Sequence, residues 1–274
     1  MIAIVTDSTI GIPKSEARAL PIRIVPNSYG AGTEISYESY LDDNGDFERR
    51  IFSAHEGFKT SQATVSAFAS AFSALIKGGA EVLCLTLSSR LSGAYSSACI
   101  AAREVDARKI AVVDSLTTAG GLYLLAKRAR ALIAQGLSLE QAAQTLKKLR
   151  ESVGLVFSVD DMSALRRGGR LGLVPQSIGT VLNIRPILVC KHGAVVSHGF
   201  ARGKADRIRK LVAHVPDGAS EVLVHHMGEA SEAEPLVKSI GQRFPGLRIA
   251  RYRIGPVLAV HLGAGALGVA WISD

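Results

Sequence analysis

With 274 residues the chain has room for two domains of ordinary size. Apolar residues make up 47% and the mean hydropathy is +0.23, which provides for a large core and excludes wholesale disorder. The net charge of +8 is uneven: residues 1–153 hold 17 Lys/Arg against 15 Asp/Glu, and residues 154–274 hold 15 against 9, an excess of +2 and then of +6.

In chain order, Ile2–Thr6 is a short apolar run that predicts a first strand, and it lacks the basic start of a signal peptide. Pro13 opens a helical stretch to Leu20, and Ile22–Val25 reads as a second strand. Residues 27–45 are polar, rich in Gly and Asp, and read as an excursion; Asp46 then caps a short helix to about His55. A helix is predicted over Thr64–Lys77, stopped by Gly78-Gly79. Strand Glu81–Leu87, helix Ser92–Val105, strand Lys109–Val113 and helices Thr117–Gln135 and Ser138–Glu151 follow. Strands spaced by helices of this length predict a parallel sheet covered by helices.

From Gly154 the texture changes, and the expected boundary lies near residue 153, dividing the chain into 1–153 and 154–274. Leu155–Val159 is strand-like and leads to the basic Gly loop Arg166-Arg167-Gly168-Gly169-Arg170. Arg185–Cys190 and Ala194–Phe200 bracket His192-Gly193 as a hairpin. Helix Lys204–His214, strand Glu221–His226, helix Ser231–Phe244 and strand Arg248–Ile254 predict a mixed α+β second half. The uncharged stretch Ile254–Ser273 has the length of a membrane span, but Pro256 and four glycines argue for a turn followed by a buried strand. Three cysteines (Cys84, Cys99, Cys190) too far apart for a CxxC unit, with no secretory signal, point to reduced thiols and a cytoplasmic protein.

Parallel sheets place ligands at the carboxyl ends of strands, where loops turn into helices. Thr60-Ser61-Gln62 and Ser88-Ser89-Arg90-Leu91-Ser92-Gly93 carry hydroxyls at such positions. Free N–H groups there favour an anion, and the competing reading is ordinary N-capping. Asp7 and Asp114 each end a strand; they either brace the next turn or contribute to a metal site for which no third ligand is evident. His225 and His226 are adjacent on a strand and point to opposite faces, a poor basis for a shared metal. No HExxH, Walker A or paired-Cys spacing is present, so no cofactor or metal is expected. The arginines of the Gly loop suit either a solvated turn or a carboxylate or phosphate. His261, inside an apolar run, must find hydrogen-bond partners. The basic second half suits nucleic acid, an anionic ligand or an acidic protein face. With aromatics at 5% and no reading motif, nucleic acid is not expected as a partner.

Seven segments in order resemble the DegV family of lipid-binding proteins: Ile4-Val5-Thr6-Asp7-Ser8-Thr9, Thr60-Ser61-Gln62, Leu87–Ala98, Val113-Asp114-Ser115, Arg167-Gly168-Gly169-Arg170-Leu171, Leu182–Leu188 and His261–Gly265. The resemblance implies an α/β, DegV-like two-domain fold: a parallel-sheet N-terminal domain and a mixed α+β C-terminal domain with a fatty acid held between them. It implies that Thr60 and Ser92 hold the carboxylate. Arg170, His261 and Asn183 belong to the surrounding network, with Ser61 and Gly93 beside them. It further implies a long-chain fatty acid as ligand, a carrier rather than an enzyme, and an ATP-binding fatty acid kinase as partner, without stable membrane insertion. Two departures, Ala63 where the family has Pro and Ala264 within Gly263-Ala264-Gly265, alter loop stiffness rather than hydrogen-bonding groups. Two other functions compete: a serine-dependent lipid hydrolase using Ser92 as nucleophile and His261 as base, and a basic regulatory protein. The hydrolase lacks the GxSxG elbow around Ser92.

Overall fold

The computed structural model describes residues 1–53, 57–160, 162–171 and 183–273. In chain order, β1 (Ile2–Asp7), α1 (Lys14–Ala19) and β2 (Ile22–Val25) come first, then β3 (Ser28–Ala31), β4 (Glu34–Tyr37), α2 (Phe47–Ser53) and β5 (Lys59–Ser61). They are followed by α3 (Val65–Lys77), β6 (Glu81–Thr86), α4 (Ala94–Val105), β7 (Ile110–Asp114), α5 (Ala119–Ala134) and α6 (Leu139–Leu149). The rest comprises β8 (Val153–Ser158), α7 (Ser163–Arg167), β9 (Ile184–Lys191), β10 (Ala194–Arg202), α8 (Gly203–His214) and β11 (Ala219–His226). Last come α9 (Glu234–Arg243), β12 (Arg248–Arg253), α10 (Pro256–Leu262) and β13 (Leu267–Ser273).

Three sheets result. The first has the order β2-β1-β6-β7 and is parallel throughout; its central strands are apolar on both faces because helices cover both. The second has the order β10-β9-β8-β13-β11-β12, antiparallel except for the β11–β12 pair. The third is small and antiparallel, in the order β4-β3-β5.

Local sequence explains the helices that position the site. The Thr64 hydroxyl accepts from the Ala67 N–H and starts α3, whose buried Phe68, Ala71 and Phe72 recur at helical spacing. Ser138 and Gln141 form a reciprocal capping box at α6. α5 is different: nine of its residues, from Ala119 to Ala129, are buried, because it lies between the parallel sheet and the face formed by β8, β11 and β13. One apolar core therefore runs from Ile4 of β1 through Leu122 of α5 to Ile272 of β13. A second cluster, under α8 and α9, covers the opposite face of the mixed sheet.

Three expectations need correction. The polar stretch 27–45 is not mere excursion, since it contributes β3 and β4. Thr60 lies within an edge strand of that small sheet, opposite Tyr29, and not at the carboxyl end of a parallel strand. Between Ile254 and Ser273 a helix, α10, precedes the strand; Pro256 at its first turn and Gly263 after its last residue delimit it. One smaller difference concerns the basic residues. Arg166 and Arg167 form the last turn of α7 rather than a loop. The end of the helix expected to reach His55, and Leu182, fall outside the described residues. Among those residues no helix is long and apolar enough to cross a membrane.

Because Leu122 is fully buried where α5 meets both sheets, Leu122→Ala should destabilise the whole protein by about 2–5 kcal/mol. Chemical denaturation followed by both far-UV and near-UV signals should then show a single transition displaced to lower denaturant.

Candidate functional site

A cleft opens between the parallel sheet, the mixed sheet and the small sheet, with about 980 Å³ of space outside the atoms, the open solvent at its mouth included. Its wall is mainly apolar: Leu87, Leu91, Leu155, Phe157, Leu165, Val195, Ile254, Val257, Leu258, Leu262 and Leu267 all face it. Polar side chains gather at one side, where Thr60, Ser61, Gln62, Ser92, Arg170 and His261 line the space. Five residues singled out from sequence, namely Thr60, Ser61, Ser92, Arg170 and His261, are thus brought together from segments up to 201 positions apart.

Thr60 Oγ1 and His261 Nε2 are 2.8 Å apart and hydrogen-bonded. Burial, and then the positive charge of Arg170, push the His261 imidazole down to about 4, so the ring is neutral near pH 7. A neutral ring that donates from Nε2 to Thr60 leaves the threonine hydroxyl proton free to point at an incoming acceptor. Ser92 precedes α4 and its Oγ accepts from the Ala94 N–H at 3.3 Å, so the hydroxyl helps start the helix while its proton stays available. Gly93 is the N-cap residue of α4; the Gln62 amide fills the space a Cβ would need there, and Gln62 donates onward to Ser97 Oγ at 3.0 Å. Arg170 is held at the rim by two backbone carbonyls, through Nε to Leu91 at 3.2 Å and through Nη1 to Gly168. Asn183 is not brought to the cleft. It is exposed with φ of 65°, and its carbonyl accepts from the Gly203 N–H at 2.9 Å, a left-handed turn position that asparagine tolerates.

A buried polar network positions this cluster. Asp7 Oδ1 accepts from the Thr9 N–H and hydroxyl at 3.0 and 2.6 Å and from Asn27 Nδ2 at 3.3 Å, and its Oδ2 accepts from the Leu87 N–H at 2.7 Å. Asn27 Oδ1 accepts from the Ala63 N–H at 2.9 Å, next to the Thr60-Ser61-Gln62 segment. Glu38 Oε1 accepts from the Val257 N–H at 3.1 Å in the first turn of α10, and Glu38 Oε2 accepts from the Ser8 hydroxyl at 2.5 Å. The strand-end aspartates are therefore braces: Asp114 similarly accepts from Ser89 and Leu116 N–H groups, both at 3.1 Å. Among the described residues, no three His, Cys, Asp or Glu side chains converge on a common point.

Ser92 and His261 are not hydrogen-bonded to each other; His261 is engaged by Thr60 instead. That is the wrong arrangement for a histidine activating a serine nucleophile.

Sequence reasoning missed two polar groups of the cleft. His225 lines it and is only 4% exposed, and Thr118 lines it just before α5. Among the described residues, neither His225 ring nitrogen nor Thr118 Oγ1 has a hydrogen-bond partner. The Tyr252 backbone is near enough to favour ring protonation slightly, but outside hydrogen-bond geometry. An unpaired buried polar group costs about 1–3 kcal/mol. The adjacency of two histidines was visible in the sequence, but no periodicity tells that one of them borders a cavity.

The chain is similar to known proteins along its whole length. The profile of the DegV family, described as uncharacterised proteins, matches residues 1–274. A DegV domain-containing protein of Deinococcus radiodurans is 33% identical over 283 residues, covering 98% of this chain and 97% of its own. The structure of DegV, a fatty acid binding protein from Bacillus subtilis, superposes with a TM-score of 0.87 at 29% identity, covering 100% of this chain and 99% of that one. That of a DegV family protein from Thermus thermophilus, with fatty acid binding, gives 0.88 at 28% identity with the same coverage. The α/β architecture of a parallel four-stranded sheet joined to a mixed sheet is the one these structures share.

Burial, with the neighbouring Asp7 charge adding to it, pushes Glu38 up from 4.5 to about 8, so the native state holds a proton that the unfolded chain releases. Glu38 should therefore lower stability as pH rises from about 5 to 8. Up to about pH 7 the depressed histidines, which the unfolded chain protonates near 6.5, act in the opposite direction, so the net fall is clearest between about 7 and 8. Thermal or urea unfolding across that range should show the loss, and Glu38→Gln should flatten it.

Proposed function

The chain belongs to the DegV family, and from that membership we propose that it binds one long-chain fatty acid, with the carboxylate at Thr60 and Ser92 and the acyl chain in the apolar cleft. The observation that carries this reading is a largely apolar cavity lined at one side by the Thr60 and Ser92 hydroxyls, the first of them hydrogen-bonded to a neutral imidazole. The Bacillus subtilis and Thermus thermophilus relatives bind fatty acids, and their folds cover the whole chain.

The chemistry of the two ends explains the ligand class. Burying the methylenes of a long acyl chain is worth about 0.8 kcal/mol each, so the apolar wall supplies most of the affinity. The carboxylate needs donors. His261 donates to Thr60, Thr60 donates to one carboxylate oxygen, and Ser92 donates to the other or to its neighbour. In this scheme His261 is a positioning residue: it keeps the Thr60 proton aimed outward. The lipid lies between the parallel-sheet half, residues 1–153, and the mixed half, residues 154–274, with α5 and the small sheet completing the walls.

The second part of the proposal concerns use. The protein presents the bound carboxylate to an ATP-dependent kinase subunit, which forms the acyl phosphate. The chain has no phosphate-binding loop of its own, so ATP must come with the partner. Arg170, exposed at the rim next to the cluster, is suited to offset the charge that builds up as the phosphoryl group arrives. The excess of +6 over residues 154–274 favours an acidic partner face.

Native mass spectrometry of the purified protein should find a fatty acid at close to one per chain. Extraction yielding none, with no uptake of added oleate or palmitate, would remove the carrier reading. Thr60→Ala and Ser92→Ala should each weaken fatty acid binding by about 1.5–3 kcal/mol, the worth of a hydrogen bond to a charged group, with the circular dichroism spectrum unchanged. Arg170→Ala should keep its lipid and lose most acyl-phosphate formation in a reconstituted assay with a kinase subunit. A variant that turns over fully would take Arg170 out of the transfer step.

A further inference from the structure

Gly93 is a glycine that its own backbone does not require. Its φ of −76° and ψ of 5° are values that other residues adopt in turns. The requirement comes from Gln62: a Cβ at Gly93 would lie 2.4 Å from Gln62 Oε1, 2.7 Å from Nε2 and 2.9 Å from Cδ. The amide therefore rests against the start of α4, and its Nε2 donates to Ser97 Oγ in the first turn of that helix at 3.0 Å. Gln62 is exposed at the rim of the cleft, so burial is not what keeps it there. On either side of this contact stand the two hydroxyls of the mouth, Thr60 just before Gln62 and Ser92 just before Gly93. They belong to different parts of the fold. Thr60 sits on β5 of the small sheet, opposite Tyr29, and Ser92 on the loop that leaves β6 of the parallel sheet. Ala63 is held by Asn27 and Thr60 by His261, neither of which is part of α4. Among the described residues, no hydrogen bond other than that of Gln62 joins residues 59–63 to residues 88–98.

We propose that Gln62 is a positioning residue that fixes the spacing of the Thr60 and Ser92 hydroxyls, and that this spacing selects a free carboxylate over a neutral head group on the same acyl chain. The proposal rests on the fatty acid reading of the cleft and specifies how the head group is chosen. Hydrogen bonds to an ionised group are about twice as strong as those between neutral groups. A carboxylate therefore gains from two donors held at a matching distance what an alcohol or a methyl ester does not. Gln62 need not touch the ligand to act in this way. By tying β5 to the first turn of α4 it removes the independent motion of the two donors before the ligand arrives, and preorganisation of that kind appears as affinity. Gly93 belongs to the same device. A side chain there would meet the end of the flexible Gln62 side chain, which yields before the helix does.

The test uses the full chain stripped of lipid and three probes of one chain length: palmitate, methyl palmitate and hexadecanol. Competition against a fluorescent fatty acid, its own affinity measured first for each variant, gives the affinity of each probe. Gln62→Ala should weaken palmitate about tenfold, the lower end of what one hydrogen bond to a charged group is worth, and leave the two neutral probes within about twofold. Ser97→Ala and Gly93→Ala should do the same, the first by removing the acceptor and the second by displacing the amide; either provides the test if another variant does not fold. In the Gln62→Ala background, Gly93→Ala should add nothing, because changes that act through one contact are not additive. Equal weakening of all three probes would make Gln62 a general support of the cleft and overturn the proposal. Variants that keep the unaltered ratio of palmitate to hexadecanol overturn it as well, and so does a Gly93→Ala effect that persists in full without Gln62. Should the unaltered chain bind palmitate no better than hexadecanol, or bind none of the three, the reading of the mouth as a carboxylate site falls, which is a different result.

Discussion

The cleft depends on two carboxylates buried side by side. Asp7 and Glu38 are each at most 1% exposed, an arrangement that burial and like charge both oppose. It persists because every oxygen is given a donor. Asp7 takes four hydrogen bonds and Glu38 two; burial pushes both carboxyls up, Glu38 to about 8, so Glu38 keeps its proton at neutral pH. The donors come from four separate segments, namely the turn after β1, the residue before β3, the end of β6 and the first turn of α10, and Asn27 in turn accepts from the Ala63 N–H of the loop after β5. Those are the segments that deliver Thr60, Ser92 and His261. The polar core is therefore a clamp on the geometry of the mouth, and an unpaired member would relax several walls together.

The apolar side of the cleft has a different origin. A helix buried on all sides must carry small residues where it approaches a sheet, and α5 begins Ala119-Gly120-Gly121. The start of α5 can thus come close to β11 and β13 while its later Leu122, Leu124 and Leu125 pack fully. Thr118 and Ala119, at the N-terminal end of α5, line the cleft together with Cys190 and Val195 of the β9–β10 hairpin.

Much of this architecture was legible in the sequence, for identifiable reasons. The strands of the parallel sheet are unbroken apolar runs, and α3 and α6 have caps and helical periodicity, so chemistry and pattern point the same way. α10 was hidden because Pro256 and Gly263 were read as breakers of the whole stretch, whereas they mark the two ends of a short helix. β3 and β4 are hidden because each is only four residues long and their few apolar residues are interspersed with Ser28, Gly30, Gly32, Glu34 and Ser36. In the site, Thr60, Ser61, Ser92, Arg170 and His261 stand in motifs in chain order and line one cleft, while Asn183 sits in a left-handed turn outside it. His225 and Thr118 had no local signature, since the cavity they face exists only once the two sheets and α5 are assembled.

The neutral character of the mouth bears on what a bound acid can do there. A carboxylate paired directly with an arginine is stabilised as an anion and is a weaker nucleophile for it. Here Arg170 is committed through Nε and Nη1 to the Leu91 and Gly168 carbonyls, and the groups closest to the proposed carboxylate position are hydroxyls backed by an uncharged imidazole. Hydroxyl donors fix the orientation of the anion while withdrawing less of its charge than an ion pair would. The lysines and arginines of the second half then act at longer range, where salt screens them. If the ligand is handed to an external phosphoryl donor, as proposed, that separation suits the transfer: dipoles hold the oxygen in place, and full positive charge stands back at the rim.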